Sequence, residues 1–264
     1  MLVARASGRD MRRYLLLIPL VCVVGGCPLP FHPPTPAAPK LREEPKTGRS
    51  YWLYVPSYYS ADREWPLVVT LHGTYGWDGP WRQAMEWKYV AEQHGLLVAA
   101  PLLRSVQGIL PTLDLLWFAD LAKDEQLVLA MIDEISQKYR VDREAILLTG
   151  FSAGGYPLYY VGLRNPDRFH MLIARACNSG HKIFERVKVT DQARKLPVMI
   201  YWGRDDLGAI HKESWLAFRW LRDNGFRRAE RHRVQGGHLR RPELAYRYWK
   251  PYLPDKYRKK PGAD

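Results

Sequence analysis

Short apolar runs, each bounded by turn residues and most followed by a stretch of helical periodicity, recur from residue 50 onward. They are YWLYVP (51–56), PLVVTLH (66–72), GLLVAAP (95–101), AILLTG (145–150), MLIARAC (171–177), PVMIYWG (197–203) and AERHRVQ (229–235). Most are apolar at successive rather than alternate positions, as strands buried on both faces must be. The first and last alternate and are more polar, which suits sheet edges. Strands of this kind need cover on both sides, so the pattern predicts an α/β chain: a mainly parallel central sheet with helices on both faces. Ala84, Trp87, Val90 and Ala91 share one face of a helix predicted over 81–94 and ended by Gly95. Leu127, Val128, Met131, Ile132 and Ile135 do the same over 124–139, and further helices are predicted over 154–164 and 212–224. No repeat at a period of about 20–50 residues is present, which excludes solenoids and propellers.

The first residues are of a different kind. In MRRYLLLIPLVCVVGGC (11–27), arginines precede an apolar run from Tyr14 to Val24. That run is shorter than the roughly 20 residues a membrane-spanning helix needs, so it reads as the core of an export signal over 1–26. Met11 as the start gives the more usual length. Val24-Gly25-Gly26-Cys27 resembles the lipobox of bacterial lipoproteins, in which Cys27 is acylated and begins the mature chain. A plain secretory signal with an incidental cysteine is the alternative. The first reading holds the protein at a membrane surface of the cell envelope through several acyl chains, and the second releases it in soluble form; both export it. Prolines from Pro28 to Pro45 favour extended conformations, so 27–49 is predicted to be a tether and 50–264 the folded domain. Cys22 falls in the export signal, Cys27 is the expected acylation site and Cys177 stands alone, which provides neither a disulfide framework nor a metal site.

The composition, 47% hydrophobic and 25% charged, excludes collagen, a disordered tail and a polytopic membrane protein. Of the net charge of +13, much lies in Arg227, Arg228, Arg231, Arg233, Arg240 and Arg241 and in the stretch from Lys250 to Lys260. Such a field favours anionic polymers or lipid. No nucleic-acid motif accompanies it, so a solvated basic surface is expected and a nucleic-acid partner is not.

Chemistry is legible where AILLTG runs into Gly150-Phe151-Ser152-Ala153-Gly154-Gly155 and then a helix. Glycines two positions either side of Ser152 permit a tight, strained strand-to-helix turn that projects the hydroxyl at a helix N-terminus, the setting of a nucleophile. A serine needs a base to take its proton and an acid to orient that base. PVMIYWG runs into Arg204-Asp205-Asp206, and Gly236-Gly237-His238 follows the last run, so acid and base come in the order Ser, Asp, His. Either Asp205 or Asp206 can serve. Upstream, PLVVTLH opens into His72-Gly73-Thr74-Tyr75-Gly76. Backbone N–H groups of Thr74 and Ala153 are the candidate oxyanion donors. His72 is expected to be structural, since His238 already provides the base. Trp117 and Phe118, in a segment expected to form a pocket-lining loop over 104–120, together with Tyr75 and His181, are candidates for the substrate pocket; packing onto the core is the alternative for each, as it is for Trp77 and Trp81.

These pieces together, LHG (71–73), YRVDREAILLTGFSAGGYPLYYVGLRNPDRF (139–169), YWGRDD (201–206) and GGH (236–238), resemble the α/β-hydrolases of the secreted esterase and polyhydroxybutyrate-depolymerase-like group, which includes feruloyl esterases and is related to phospholipase/carboxylesterases. The resemblance covers roughly residues 50–250. It implies the α/β-hydrolase fold, ester hydrolysis without a cofactor, and, by the spacing G-x-x-D, Asp206 as the acid. Two departures concern the substrate: Tyr201-Trp202-Gly203 where relatives carry His-Gly, and Thr74-Tyr75 in place of a glycine run. The expected activity is that of a carboxylic ester hydrolase acting on a small-molecule or polymer-linked ester. A serine peptidase or amidase, or a non-catalytic envelope-binding lipoprotein, are the alternatives.

Overall fold

In chain order the computed structural model contains β1 (Lys40–Glu44), β2 (Arg49–Tyr54), β3 (Trp65–Leu71), α1 (Pro80–His94), β4 (Leu97–Pro101), α2 (Asp114–Lys138), β5 (Val141–Phe151), α3 (Gly155–Arg164), β6 (Met171–Arg175), α4 (His181–Phe184), α5 (Asp191–Lys195), β7 (Val198–Gly203), α6 (Gly208–Asp223), β8 (Ala229–Val234), α7 (Pro242–Trp249) and α8 (Asp255–Arg258). It describes residues 37–107 and 114–258; the export signal, Cys27 and the loop residues Leu110, Pro111 and Thr112 lie outside them.

The strands form one sheet in the order β1-β2-β4-β3-β5-β6-β7-β8. β1 and β2 are antiparallel to their neighbours, and every pairing from β4 to β8 is parallel. Successive side chains of a strand point to opposite faces, so apolar runs fill two cores at once. Leu67, Val69, Leu148 and Ile200 pack on one face beneath α2, α3 and α6, while Val68, Leu147, Met199 and Tyr201 pack on the other beneath α1 and α7. Gly95 closes α1 in the left-handed conformation (φ 69°), its N–H bonding the Ala91 carbonyl.

Three expectations are corrected. Lys40–Glu44, assigned to the tether, is a strand of the sheet, so the domain begins before residue 50. KLREE has no apolar alternation, and its only buried side chain is Glu44, whose carboxylate accepts the N–H groups of Lys46 and Thr47 and the Thr47 hydroxyl in the turn to β2. Consequently β2 is an inner strand rather than an edge; β8 is an edge as expected. Finally, α2 begins at Asp114 instead of residue 124, turning part of the expected loop into helix. Leu115 and Leu116 are exposed there, which blurs the apolar stripe that periodicity detects.

Candidate active site

β3, β5, β6, β7 and β8 lie side by side and parallel, so the loops after them open on one edge of the sheet, where open α/β sheets place their ligands. β5 delivers Ser152, β7 Asp206 and β8 His238, while β3 delivers the loop from His72 to Gly79.

At the end of β5, Ser152 takes φ 54°, a left-handed conformation that a non-glycine residue adopts only under constraint. The constraint is close packing: a Cβ at Gly154 would stand 2.5 Å from the Leu71 carbonyl oxygen, so the turn is pressed against the end of β3. The Asn178 N–H holds the Ser152 carbonyl at 2.9 Å. Ala153 stands in the first turn of the short 3-10 helix Ser152–Gly154, where backbone N–H groups lack intrahelical acceptors.

The structure pairs His238 with Asp206, not Asp205: Nδ1 lies 2.8 Å from Asp206 Oδ1. The Asp206 side chain is fully buried, and the N–H groups of Leu207 (2.8 Å) and Gly203 (3.2 Å) also donate to it. Burial alone would raise its pKa, but the hydrogen bonds from His238 and these two amides outweigh burial and leave it below the usual carboxylate range. An ionised carboxylate only accepts, so the proton on this bond belongs to Nδ1. The imidazole packs against Phe151, next to Ser152, with ring centroids 4.7 Å apart. Among the described residues, neither His238 Nε2 nor Ser152 Oγ has a hydrogen-bond partner.

The loop after β3 approaches Ser152 from the other side. A Cβ at Gly73 would stand 3.1 Å from Ser152 Cβ. The Gly73 N–H is occupied by Asp78 Oδ2 at 2.8 Å, whereas the Thr74 N–H has no acceptor among the described residues. Asp78 also accepts Gln83 Nε2 at 2.7 Å, and neither residue is recognisable as functional in the sequence, because an Asp near the end of a loop has no pattern to mark it. His72 is buried and satisfied at both nitrogens: Nδ1 lies 2.7 Å from the Gly73 carbonyl oxygen and Nε2 accepts the Leu103 N–H at 3.0 Å. Burial lowers its pKa.

The pocket candidates separate. Trp117 is half-buried near the start of α2, bonds the Ser105 carbonyl through Nε1 and meets Tyr156 edge-on at 5.2 Å. Tyr156, Ser179, Phe184, Glu213 and Trp220 line a cavity of about 780 Å³ between α3 and α6. Phe118 packs instead toward Tyr160 and the Arg186 guanidinium. Tyr75 lines a different groove, of about 450 Å³, with Leu41, Trp52, Trp77 and Trp81; no residue of the Ser152, Asp206 and His238 set is among the lining residues of either. His181 opens α4, and its side chain lies outside the described residues. Glu213, not expected from the sequence, holds the loop after β6 by accepting the Ser179 N–H at 2.6 Å.

No family model matches the chain. A bifunctional acetylxylan esterase/xylanase, XynS20E, of Neocallimastix patriciarum is 28% identical over 166 residues, which cover 62% of this chain and 22% of that protein. Among solved structures, the CE1 ferulic acid esterase AmCE1/Fae1A of Anaeromyces mucronatus in complex with ferulic acid superposes with a TM-score of 0.59 at 16% identity over 80% of this chain and 89% of that one. Esterase PE8 does so at 0.59 and 20% over 82% and 100%, and the S-formylglutathione hydrolase FrmB of Staphylococcus aureus at 0.56 and 16% over 82% and 94%.

Proposed function

We propose that this chain, which has the α/β-hydrolase fold, is a serine hydrolase that cleaves carboxylic esters. The observation that carries the reading is the buried Asp206 carboxylate bonded to His238 Nδ1 at 2.8 Å, with the imidazole packed on Phe151, the residue before the strained Ser152. In the proposed reaction His238 Nε2 takes the Ser152 proton as Oγ attacks the carbonyl carbon. The oxyanion of the tetrahedral intermediate is held by the N–H groups of Ala153 and Thr74. His238 then protonates the departing alcohol, leaving an acyl-Ser152 ester, and a water activated by the same nitrogen hydrolyses it. Side chains, backbone amides and water suffice, with no cofactor in the scheme. Losing one oxyanion donor in such a site costs about 10²–10³ in rate.

The substrate is proposed to be a small acyl or aromatic ester, free or polymer-linked, with the cavity beside Tyr156 and Trp117 receiving part of it. The relative's name, acetylxylan esterase, and the ferulic acid bound in a structural neighbour support that choice. Export with acylation at Cys27 is proposed from the leader pattern, with Cys27→Ala expected to free the protein from the envelope. The test of activity is hydrolysis of p-nitrophenyl esters from acetate to laurate, and of a feruloyl ester, beside Ser152→Ala. Turnover abolished by the substitution is expected; undiminished turnover in Ser152→Ala, or none in folded wild type, would overturn the reading.

A further inference from the structure

Arg175 ends β6 in the middle of the parallel strands, fully buried, and the reaction above makes no use of it. Its guanidinium makes four hydrogen bonds. Nε donates to Thr149 Oγ1 at 3.0 Å, Nη1 to the Arg240 carbonyl at 3.2 Å, and Nη2 to Thr70 Oγ1 at 2.9 Å and Gln83 Oε1 at 2.7 Å.

Each acceptor belongs to a segment that carries one part of the site. Thr70 is on β3, shortly before Gly73 and Thr74, and Gln83 passes the contact on through Asp78 to the Gly73 N–H. Thr149 is on β5, three residues before Ser152. Arg240 is two residues beyond His238, and its side chain returns to the same cluster, with Nε bonded to Glu86 and Nη1 3.6 Å from Asp78 Oδ1. One rigid fork therefore touches the segments bearing the oxyanion donor, the nucleophile and the base.

Stability does not account for such a residue. All four acceptors are neutral, so a cation has been taken from water without a directly bonded carboxylate to repay its desolvation, and an apolar side chain of similar volume generally does as well or better in a core. What an apolar chain cannot do is bond three separate segments at fixed angles. A lysine cannot either, because it offers one nitrogen where arginine offers a planar set of donors.

We propose that Arg175 is a positioning residue that sets the register of the oxyanion loop, Ser152 and His238. The proposal rests on the serine-hydrolase reading above. Misplacing reacting groups by about 1 Å can cost about 10² in rate with binding largely kept, so the loss belongs in kcat.

The experiment compares the full chain with Arg175→Met, Arg175→Lys and Thr149→Val. It measures kcat and KM on a p-nitrophenyl ester per site titrated with a fluorophosphonate, and the melting temperature of each protein. Expected are a fall in kcat of about 10² for both Arg175 variants with KM changed less than about threefold, and a smaller fall of the same kind for Thr149→Val. Lysine should rescue no better than methionine, because the fork and not the charge is required. If the Arg175 variants do not fold, Thr149→Val, which removes one acceptor of the fork, decides alone. Variants with wild-type kcat per titrated site would overturn the role of Arg175 while leaving the serine hydrolase intact. A folded wild type that neither turns over esters nor takes the fluorophosphonate would overturn the underlying reading and this role with it.

Discussion

His72 and His238 both follow the C-terminal end of a parallel strand and both adjoin a glycine, yet their surroundings give them opposite properties. His72 is closed at both nitrogens by backbone groups, the Gly73 carbonyl and the Leu103 N–H, and has no exposed surface. His238 is bonded at Nδ1 to a buried carboxylate, keeps a quarter of its side-chain surface exposed, and has an open Nε2. A ring satisfied at both ends by backbone groups holds two loops together. A ring held at one end by an ionised acid is oriented, with its other nitrogen left open, as the proposed role of base requires. The difference lies in the partners, not in the residue or its place in the topology.

The largest effect that would break this contrast is expected from Asp206→Asn. The amide would present a donor or a neutral acceptor to Nδ1, losing control of the tautomer, and kcat should fall by about 10⁴ with the fold retained, as the corresponding change does in a Ser-His-Asp protease. Steady-state kinetics on one ester checks it; a loss under about tenfold would mean that Asp206 does not orient the base. His72→Ala should act on the other quantity. It leaves the Leu103 N–H and the Gly73 carbonyl buried without partners, which should lower unfolding free energy by about 3 kcal/mol, measured by urea denaturation. A stability unchanged within error would contradict the structural role.

A smaller effect follows from pH. Burial holds the folded-state pKa of His72 below its unfolded value of 6.5. The unfolded chain therefore binds the proton first, so the stability contributed by His72 is full above about pH 6.5 and is lost as pH falls toward the lower folded value. His170, also lowered by burial and then by Arg228, adds to the same acid-side loss. Melting temperatures between about pH 7.5 and 5.5 should fall less steeply in His72→Ala than in wild type; equal slopes would mean that His72 titrates alike in both states.

How far the sequence discloses this molecule follows from which interactions have a period. Buried parallel strands such as LVVTL and AILLTG announce themselves because both faces are apolar, and the nucleophile turn is marked by glycines that close packing requires. β1 is hidden because its outer-edge strand is almost wholly exposed and its one buried side chain is a glutamate satisfied within its own turn. α7 is hidden by its shortness: Ala245, Tyr246 and Trp249 make up most of its apolar stripe. The proposed set of Ser152, Asp206 and His238 is suggested by residue type and order along the chain. Asp78, Gln83 and Arg175 are not, since a polar network assembled from β3, α1, β5 and β6 leaves no spacing in one dimension; the arginine within an otherwise apolar MLIARAC is the one trace it leaves.

The central claim is that Ser152 forms an acyl-enzyme with His238 as its base. Rapid mixing with p-nitrophenyl acetate tests it most directly, followed by acid quench and peptide mass mapping. The account predicts a burst of p-nitrophenolate equal to the enzyme present and an added acetyl group on the peptide containing Ser152, both absent in Ser152→Ala. Turnover without a burst and without an acetylated Ser152 peptide, or an acetyl group on another residue that persists in Ser152→Ala, would contradict it.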